Sequence, residues 1–255
     1  MRYAVCCVPV SAIRIEPSHK SEMVSQQLFG ECCTIMEETV GWIKVKCKFD
    51  AYEGWSQASH VVDIDLENYE RYDEDLTGDW VNELNYNGHH MFVPLGSSLT
   101  ALQNGRAFWR KNSVHYKGKV WNLSEVKITP KLIKQLVYKF LNTPYLWGGK
   151  SVFGIDCSGF SQLVFKLVNI AIPRDSSQQA LQGNTISFLQ EAHCGDLAFF
   201  DNDEGNITHV GIILNEHEII HSSGKVRLDK IDNQGILNVE TKQRTHKLRI
   251  IKRYF

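Results

Sequence analysis

Residues 144–167, PYLWGGKSVFGIDCSGFSQLVFKL, constrain the fold more than any other stretch of the chain. Gly148, Gly149 and Gly154 permit sharp turns in an aromatic approach that carries Tyr145 and Trp147. Behind it, Phe160, Leu163, Val164, Leu167 and Val168 recur at the i, i+3, i+4, i+7, i+8 spacing of a helix with one buried face. Cys157 therefore falls in the first turn of a helix. There the unpaired N–H groups and the positive dipole end favour a thiolate, and the preceding loop keeps the sulfur reachable. A cysteine so placed is a candidate nucleophile. The competing role is structural, because free cysteines are among the most buried residues, and the rest of the sequence has to decide between the two.

Two histidines supply what a nucleophilic thiol needs. His209 lies in ITHVGIIL and His221 in EIIHSSG, both strand-like runs. Alternation puts His209, Gly211 and Ile213 on one face. A hairpin across residues 215–217 makes His221 a neighbour of His209 on that face, with Gly211 leaving room. A Cys–His pair activates sulfur by passing its proton to imidazole, while a third polar group fixes the ring tautomer. The roles that follow are Cys157 as nucleophile, His209 as general base and later acid, and His221 as orienter, with backbone N–H groups at the helix start for an oxyanion. Taken singly, either histidine also suits a satisfied strand or surface position. Zinc held by Cys157, His209 and His221 would lack the close-spaced ligand pair most sites show, so neither a metal nor a cofactor is expected.

The chain around this constellation changes character twice. Up to about residue 65 it reads as short strands at 4–10, 27–37, 42–49 and 54–57 with Gly30, Gly41 and Gly54 at the corners, the pattern of a small β-barrel. An acidic segment at 65–79 leads to a second strand-like stretch over about 81–125, which shares glycine corners and a late Trp with the first and reads as a diverged copy. At Thr129-Pro130 an N-cap and a first-turn proline open a helix whose apolar face is Leu132, Ile133, Leu136, Val137 and Phe140. Helices then precede strands at 196–200, 207–214, 218–222 and 247–254, an α+β order.

Composition sets outer bounds. The 255 residues, 43% of them hydrophobic, suffice for two or three small cores. A net charge of −1, from 28 basic and 29 acidic residues, offers no footprint for nucleic acid or an anionic membrane. No run of about 20 apolar residues is long enough to span a bilayer. Seven cysteines, two pairs of them adjacent and none in a CxxC, suit a reducing compartment better than a disulfide framework. The chain as it stands is expected to be cytoplasmic, or exported if a signal peptide has been removed, and monomeric.

GE at 30–31, GWIKVK at 41–46 and YEGWS at 52–56 resemble bacterial SH3-like domains. YLWGG at 145–149, DCSGF at 156–160, PRDSSQQ at 173–179, GDLAFF at 195–200, HVGI at 209–212 and IIHSSG at 219–224 closely resemble the NlpC-type, papain-like cysteine peptidases of bacterial cell walls. The resemblance implies a multidomain chain: two small SH3-like β-barrels, at 1–65 and 66–128, followed by an α+β papain-like cysteine peptidase domain at 129–255. The same domain order is similar to the γ-D-glutamyl-L-diamino acid endopeptidases of the dipeptidyl-peptidase VI type. That likeness implies a murein peptide substrate with a free N-terminal L-Ala and release of L-Ala-γ-D-Glu, and it agrees with Cys157, His209 and His221 as the catalytic set. Carried over by motif, Glu16, Tyr52 and Asp175 are implied to recognise the free amine, and Ser158 and Ser176 the α-carboxylate of the γ-linked D-Glu. Trp147 and Asp156 are implied to line the site. Glu22, Glu31 and Glu53 are the alternatives to Glu16, and Asp156 suits a helix cap equally well. The other functions compatible with these motifs are an endopeptidase on intact peptidoglycan and a catalytically silent wall-binding module.

Overall fold

The computed structural model describes residues 2–71 and 75–255, so Met1 and residues 72–74 of the acidic segment lie outside the described residues. Contacts divide the chain into two compact units, Met1–Val126 with Trp147–Val152, and Lys127–Leu146 with Phe153–Phe255.

In the first unit, seven short strands form one antiparallel sheet: β1 (Arg2–Cys6), β2 (Val10–Arg14), β3 (Met23–Leu28), β4 (Cys32–Thr39), β5 (Trp42–Cys47), β6 (Glu53–Gln57) and β7 (Val61–Ile64), in the order β3-β2-β6-β5-β4-β1-β7. The β4–β5 hairpin pairs Cys33 with Cys47 and Ile35 with Val45, which keeps the apolar members of both strands in register. The run 27–37 is two strands rather than one. Gly30, at φ +76°, breaks it, and a side chain there would collide with the Ser98 carbonyl oxygen. A short helix α1 (Leu66–Glu70), capped by Asp65, leads to the second β region. That region holds β8 (Asp75–Thr77), β9 (Val81–Tyr86), β10 (His89–Pro94), β11 (Arg106–Trp109), β12 (Asn112–His115) and β13 (Val120–Asn122), arranged as sheets β10-β9-β12-β11 and β13-β8. Both β regions share one core, in which Val5, Phe29 and Ile64 pack with Leu84, Val93, Trp109 and Tyr116.

The segment 147–152 of this unit, with β14 (Lys150–Ser151), is held by a buried ion pair. Lys150 Nζ lies 3.1 Å from Glu31 Oε2, and its backbone N–H donates to Gln26 Oε1 at 2.8 Å. Gly148, at φ +73°, lies so close to the Met23 carbonyl that no β-carbon fits.

The second unit opens with α2 (Pro130–Lys139), whose Thr129 cap accepts from the Leu132 N–H at 3.1 Å. After β15 (Gly154–Ile155) comes α3 (Cys157–Leu167), then α4 (Ser176–Gln179) and β16 (Asn184–Ile186). The spacing predicts one buried face for α3, yet every residue of it is buried. It is therefore a central helix, and each of Phe160, Leu163, Val164 and Leu167 contributes about 1.5–3 kcal/mol by leaving water. Strands β17 (Leu197–Asp201), β18 (Ile207–Asn215), β19 (Glu218–Ser223), β20 (Lys225–Asp232), β21 (Gly235–Leu237) and β22 (Arg244–Arg253) follow. They pair in succession, and β22 closes on both β17 and β21, so these six make a barrel. Helix α3 packs against β18 and β19.

Candidate active site

Asp156 starts α3. Its Oδ1 accepts from the Gly159 N–H at 2.7 Å, so it is the N-cap, and Cys157 takes the first helical position. The loop before it is fixed by Ser222, whose hydroxyl donates to the Ile155 carbonyl at 2.8 Å. Ser222 follows His221 on β19, so the chain entering the helix is tied beside that histidine. Cys157 is 8% exposed, and its thiol meets the backbone N–H of Val210, the residue after His209.

On the barrel wall, Gly211 of β18 faces His221 of β19, and a β-carbon at 211 would come within 2.9 Å of the His221 β-carbon. The absence of a side chain lets the two imidazoles meet. His209 Nε2 lies 2.8 Å from His221 Nδ1, and His221 Nε2 lies 3.0 Å from Asp229 Oδ2 on β20. Arg227 Nε donates to the same carboxylate oxygen at 2.8 Å, and the Val239 N–H donates to its partner Oδ1 at 2.8 Å. His246 of β22, half-buried, stacks on His209 with ring centres 4.0 Å apart and planes 23° from parallel.

Burial sets the protonation of this line. It pushes the Cys157 thiol up to about 11, with Asp156 adding to the rise, while the Val210 N–H and Arg174 pull down. The helix start does not prevail here because the sulfur has little water around it. Burial also holds His209 well below the ordinary imidazole range, aided by His221 and His246, and lowers His221 against the pull of Asp229. His246 is brought down to about 4 by burial and His221. For Asp229, burial raises the carboxyl, but hydrogen bonds from His221, Arg227 and Val239 outweigh it and leave it lowered. The resting site thus pairs a thiol with neutral imidazoles, and an ionised Asp229 defines the tautomers: His221 donates from Nε2, His209 donates from Nε2 to His221, and His209 Nδ1 carries the free lone pair.

A second polar cluster surrounds the start of α3. Arg174, 1% exposed, donates to both Asp156 oxygens, at 3.0 and 2.5 Å, and to Ser158 Oγ at 2.8 Å. Gln179 of α4 donates to the Ser158 carbonyl at 3.1 Å. Asp175 caps α4 through its backbone and Ser176 begins it, both half-buried. The second unit thus brings together Cys157, His209 and His221, and joins Asp156 and Ser158 to the segment carrying Asp175 and Ser176.

The other sequence candidates lie in the first unit. Glu16 is exposed in the turn after β2, its N–H bonded to Ser21 Oγ at 2.9 Å. Tyr52 is half-buried against the core of Ile13, Ile43 and Val45. Trp147 is exposed and donates its indole N–H to Glu22 at 2.6 Å. Glu22, Glu31 and Glu53 are engaged by Trp147, Lys150 and Lys46 respectively.

Asp229, Arg227, His246 and Arg174 were not among the sequence candidates. Asp229 had one signal, since Arg227, Asp229 and Ile231 alternate onto a single face of VRLDKID, placing a carboxylate beside a core residue.

Comparison with known proteins gives two domain matches: the NlpC/P60 family over residues 142–245 and the bacterial dipeptidyl-peptidase Sh3 domain over residues 13–61. A gamma-D-glutamyl-L-lysine dipeptidyl-peptidase of Bacillus cereus is 28% identical over 244 residues, covering 80% of this chain and 68% of that protein. A probable endopeptidase of Haemophilus influenzae is 34% identical over 113 residues, 44% of this chain and 68% of that protein. The chain spans from 34% to 68% of the length of the curated relatives it matches first. In fold, it superposes on the crystal structure of an NlpC/P60 family protein from Bacillus cereus with a TM-score of 0.82, over 99% of both chains at 20% identity. With a first-turn cysteine, a histidine pair on the barrel and these matches together, the chain belongs to the NlpC/P60 family of cysteine peptidases and carries a bacterial dipeptidyl-peptidase SH3-like domain on its N-terminal side.

Proposed function

We propose that the protein hydrolyses the γ-D-Glu–diamino acid bond of short murein peptides that carry a free N-terminal L-Ala, releasing L-Ala-γ-D-Glu. The observation that carries this reading is the hydrogen-bonded line from His209 through His221 to Asp229, set beside the first-turn thiol of Cys157. The name of the Bacillus cereus relative supports the choice of bond.

Cys157 Sγ adds to the carbonyl carbon of the γ-amide as its proton passes to His209 Nδ1, and the oxyanion is met by N–H groups at the start of α3. His209 then gives that proton to the leaving amine. The C–N bond breaks and a thioester remains. Water, losing a proton to His209, adds to the thioester carbonyl; the C–S bond breaks, the proton returns to sulfur, and L-Ala-γ-D-Glu departs. Ser158 and Ser176 are assigned to the free α-carboxylate of D-Glu, with Arg174 holding the Ser158 hydroxyl in place. Glu16, Tyr52 and Asp175 are assigned to the ammonium of L-Ala, and Trp147 and Asp156 to the lining. Glu16 stands out among the first-domain glutamates because, among the described residues, its carboxylate is not committed to a neighbour. Residues 66–128 are assigned as a second, diverged SH3-like domain on their glycine corners.

Mass spectrometry of products from matched tripeptides tests the reading, with L-Ala free or acylated and with L-Lys or meso-diaminopimelate third. Release of L-Ala-γ-D-Glu from the free peptides alone is expected; cleavage at another bond would refute it. Glu16→Gln should narrow the preference for the free amine by about 10-fold or more, because a site built for a charged group rejects its neutral analogue through that partner. Equal loss on free and acylated substrates removes Glu16 from the role.

A further inference from the structure

We propose that His209, His221 and His246 form a binding site for a borderline divalent cation of the Zn2+ class, and that filling it switches the peptidase off. One ring nitrogen from each of the three lies within 4.8 Å of the others, and among the described residues this is the one such group of histidines, cysteines or carboxylates. His209 Nε2 and His221 Nδ1 already face each other at 2.8 Å across a single proton. Tetrahedral zinc, with Zn–N of about 2.0–2.1 Å, sets ligand nitrogens roughly 3.3 Å apart, so replacing that proton by a cation asks for a small spreading of two rings.

The surroundings favour ligation. Asp229 holds the other nitrogen of His221 at 3.0 Å and is itself held by Arg227, the carboxylate–histidine arrangement that aims a lone pair at a metal. His246 supplies the third ligand from β22. Its ring is stacked on that of His209, so chelation turns the half-buried His246 ring, while the buried His209 and His221 move only by that small spreading. Three imidazoles suit Zn2+, Cu2+ or Ni2+ and offer no oxygen ligands to Mg2+ or Ca2+.

The cation would occupy His209 Nε2, and the ring proton would then reside on Nδ1. That nitrogen is the one assigned to accept the Cys157 proton, so the base is blocked with the sulfur untouched. Inhibition therefore rests on the reaction proposed above, whereas binding does not.

Calorimetric titration of Zn2+ into Cys157→Ala protein separates the two. One equivalent should bind, Co2+ should give the absorption of nitrogen ligation, and Mg2+ should not compete. Adding His246→Phe, or His246→Gln should the phenylalanine variant fail to fold, should weaken Zn2+ binding at least 10-fold. No binding by Cys157→Ala protein, or undiminished binding by the double variant, overturns the site. On unsubstituted enzyme, turnover of any peptide substrate should fall as the site fills and return with a chelator; undiminished turnover with the site filled overturns the switch.

Discussion

A thiol held near 11 beside imidazoles held below their ordinary range starts the reaction uncharged, so the proton must move as the sulfur attacks rather than before. The pH–rate profile should show it. With His209 neutral well into the acid range, kcat/KM should persist below pH of about 6; an acid limb at the ordinary imidazole value would mean that His209 gains its proton far more readily than its burial allows. Asp229→Asn keeps the shape but removes the charge that fixes His221 and, through it, His209. Its kcat should fall on the order of 10²-fold with little change in KM, and an unchanged kcat would separate Asp229 from the base. The histidines were legible because period-two alternation and a short hairpin bring residues 209 and 221 to one face. Asp229 and His246 were not, because which strand lies beside which, and where a barrel closes, leaves no mark in local spacing.

Among the elements, α3 and the barrel carry the site. The cysteine helix was readable from its apolar spacing and its Asp156 start, but its full burial follows from packing against β18 and β19 of the barrel and against α2 and α4, neighbours that the sequence pattern left as separate elements. Strand β20 escaped notice because its charged residues, Arg227 and Asp229 among them, mask the alternation, and β21, Gly235–Leu237, because three residues are too few to show one. Arg174→Met should destabilise the second unit by about 3–5 kcal/mol in urea unfolding, since it leaves the Asp156 carboxylate buried without its cation; a loss below about 1 kcal/mol would show that the pair is dispensable. The barrel also buries neutral imidazoles that the unfolded chain protonates near pH 6.5. Stability should therefore be full above that value and decline as pH falls, by about 1.4 kcal/mol per unit for each imidazole still neutral, toward the value of about 4 for His246. Denaturant melts at pH 7.5 and pH 5.5 would check the sign, and equal midpoints would contradict it.

At the scale of the whole molecule, contacts divide the chain into two compact units, the first of which packs two β regions about one core. The segment 147–152 belongs to that first unit through Lys150 and Glu31, a pairing no sequence spacing announces because 119 residues separate its members. Lys150→Met should cost the first unit about 3–5 kcal/mol, and adding Glu31→Gln should restore most of it, because the charge left behind rather than the lost attraction is the larger cost. The central claim, that one first-turn thiol performs the chemistry of the chain, is tested most directly by turnover of L-Ala-γ-D-Glu-L-Lys by Cys157→Ala protein that retains the native melting profile. Loss of about 10⁴-fold or more is predicted; turnover at the rate of the unsubstituted protein would contradict it.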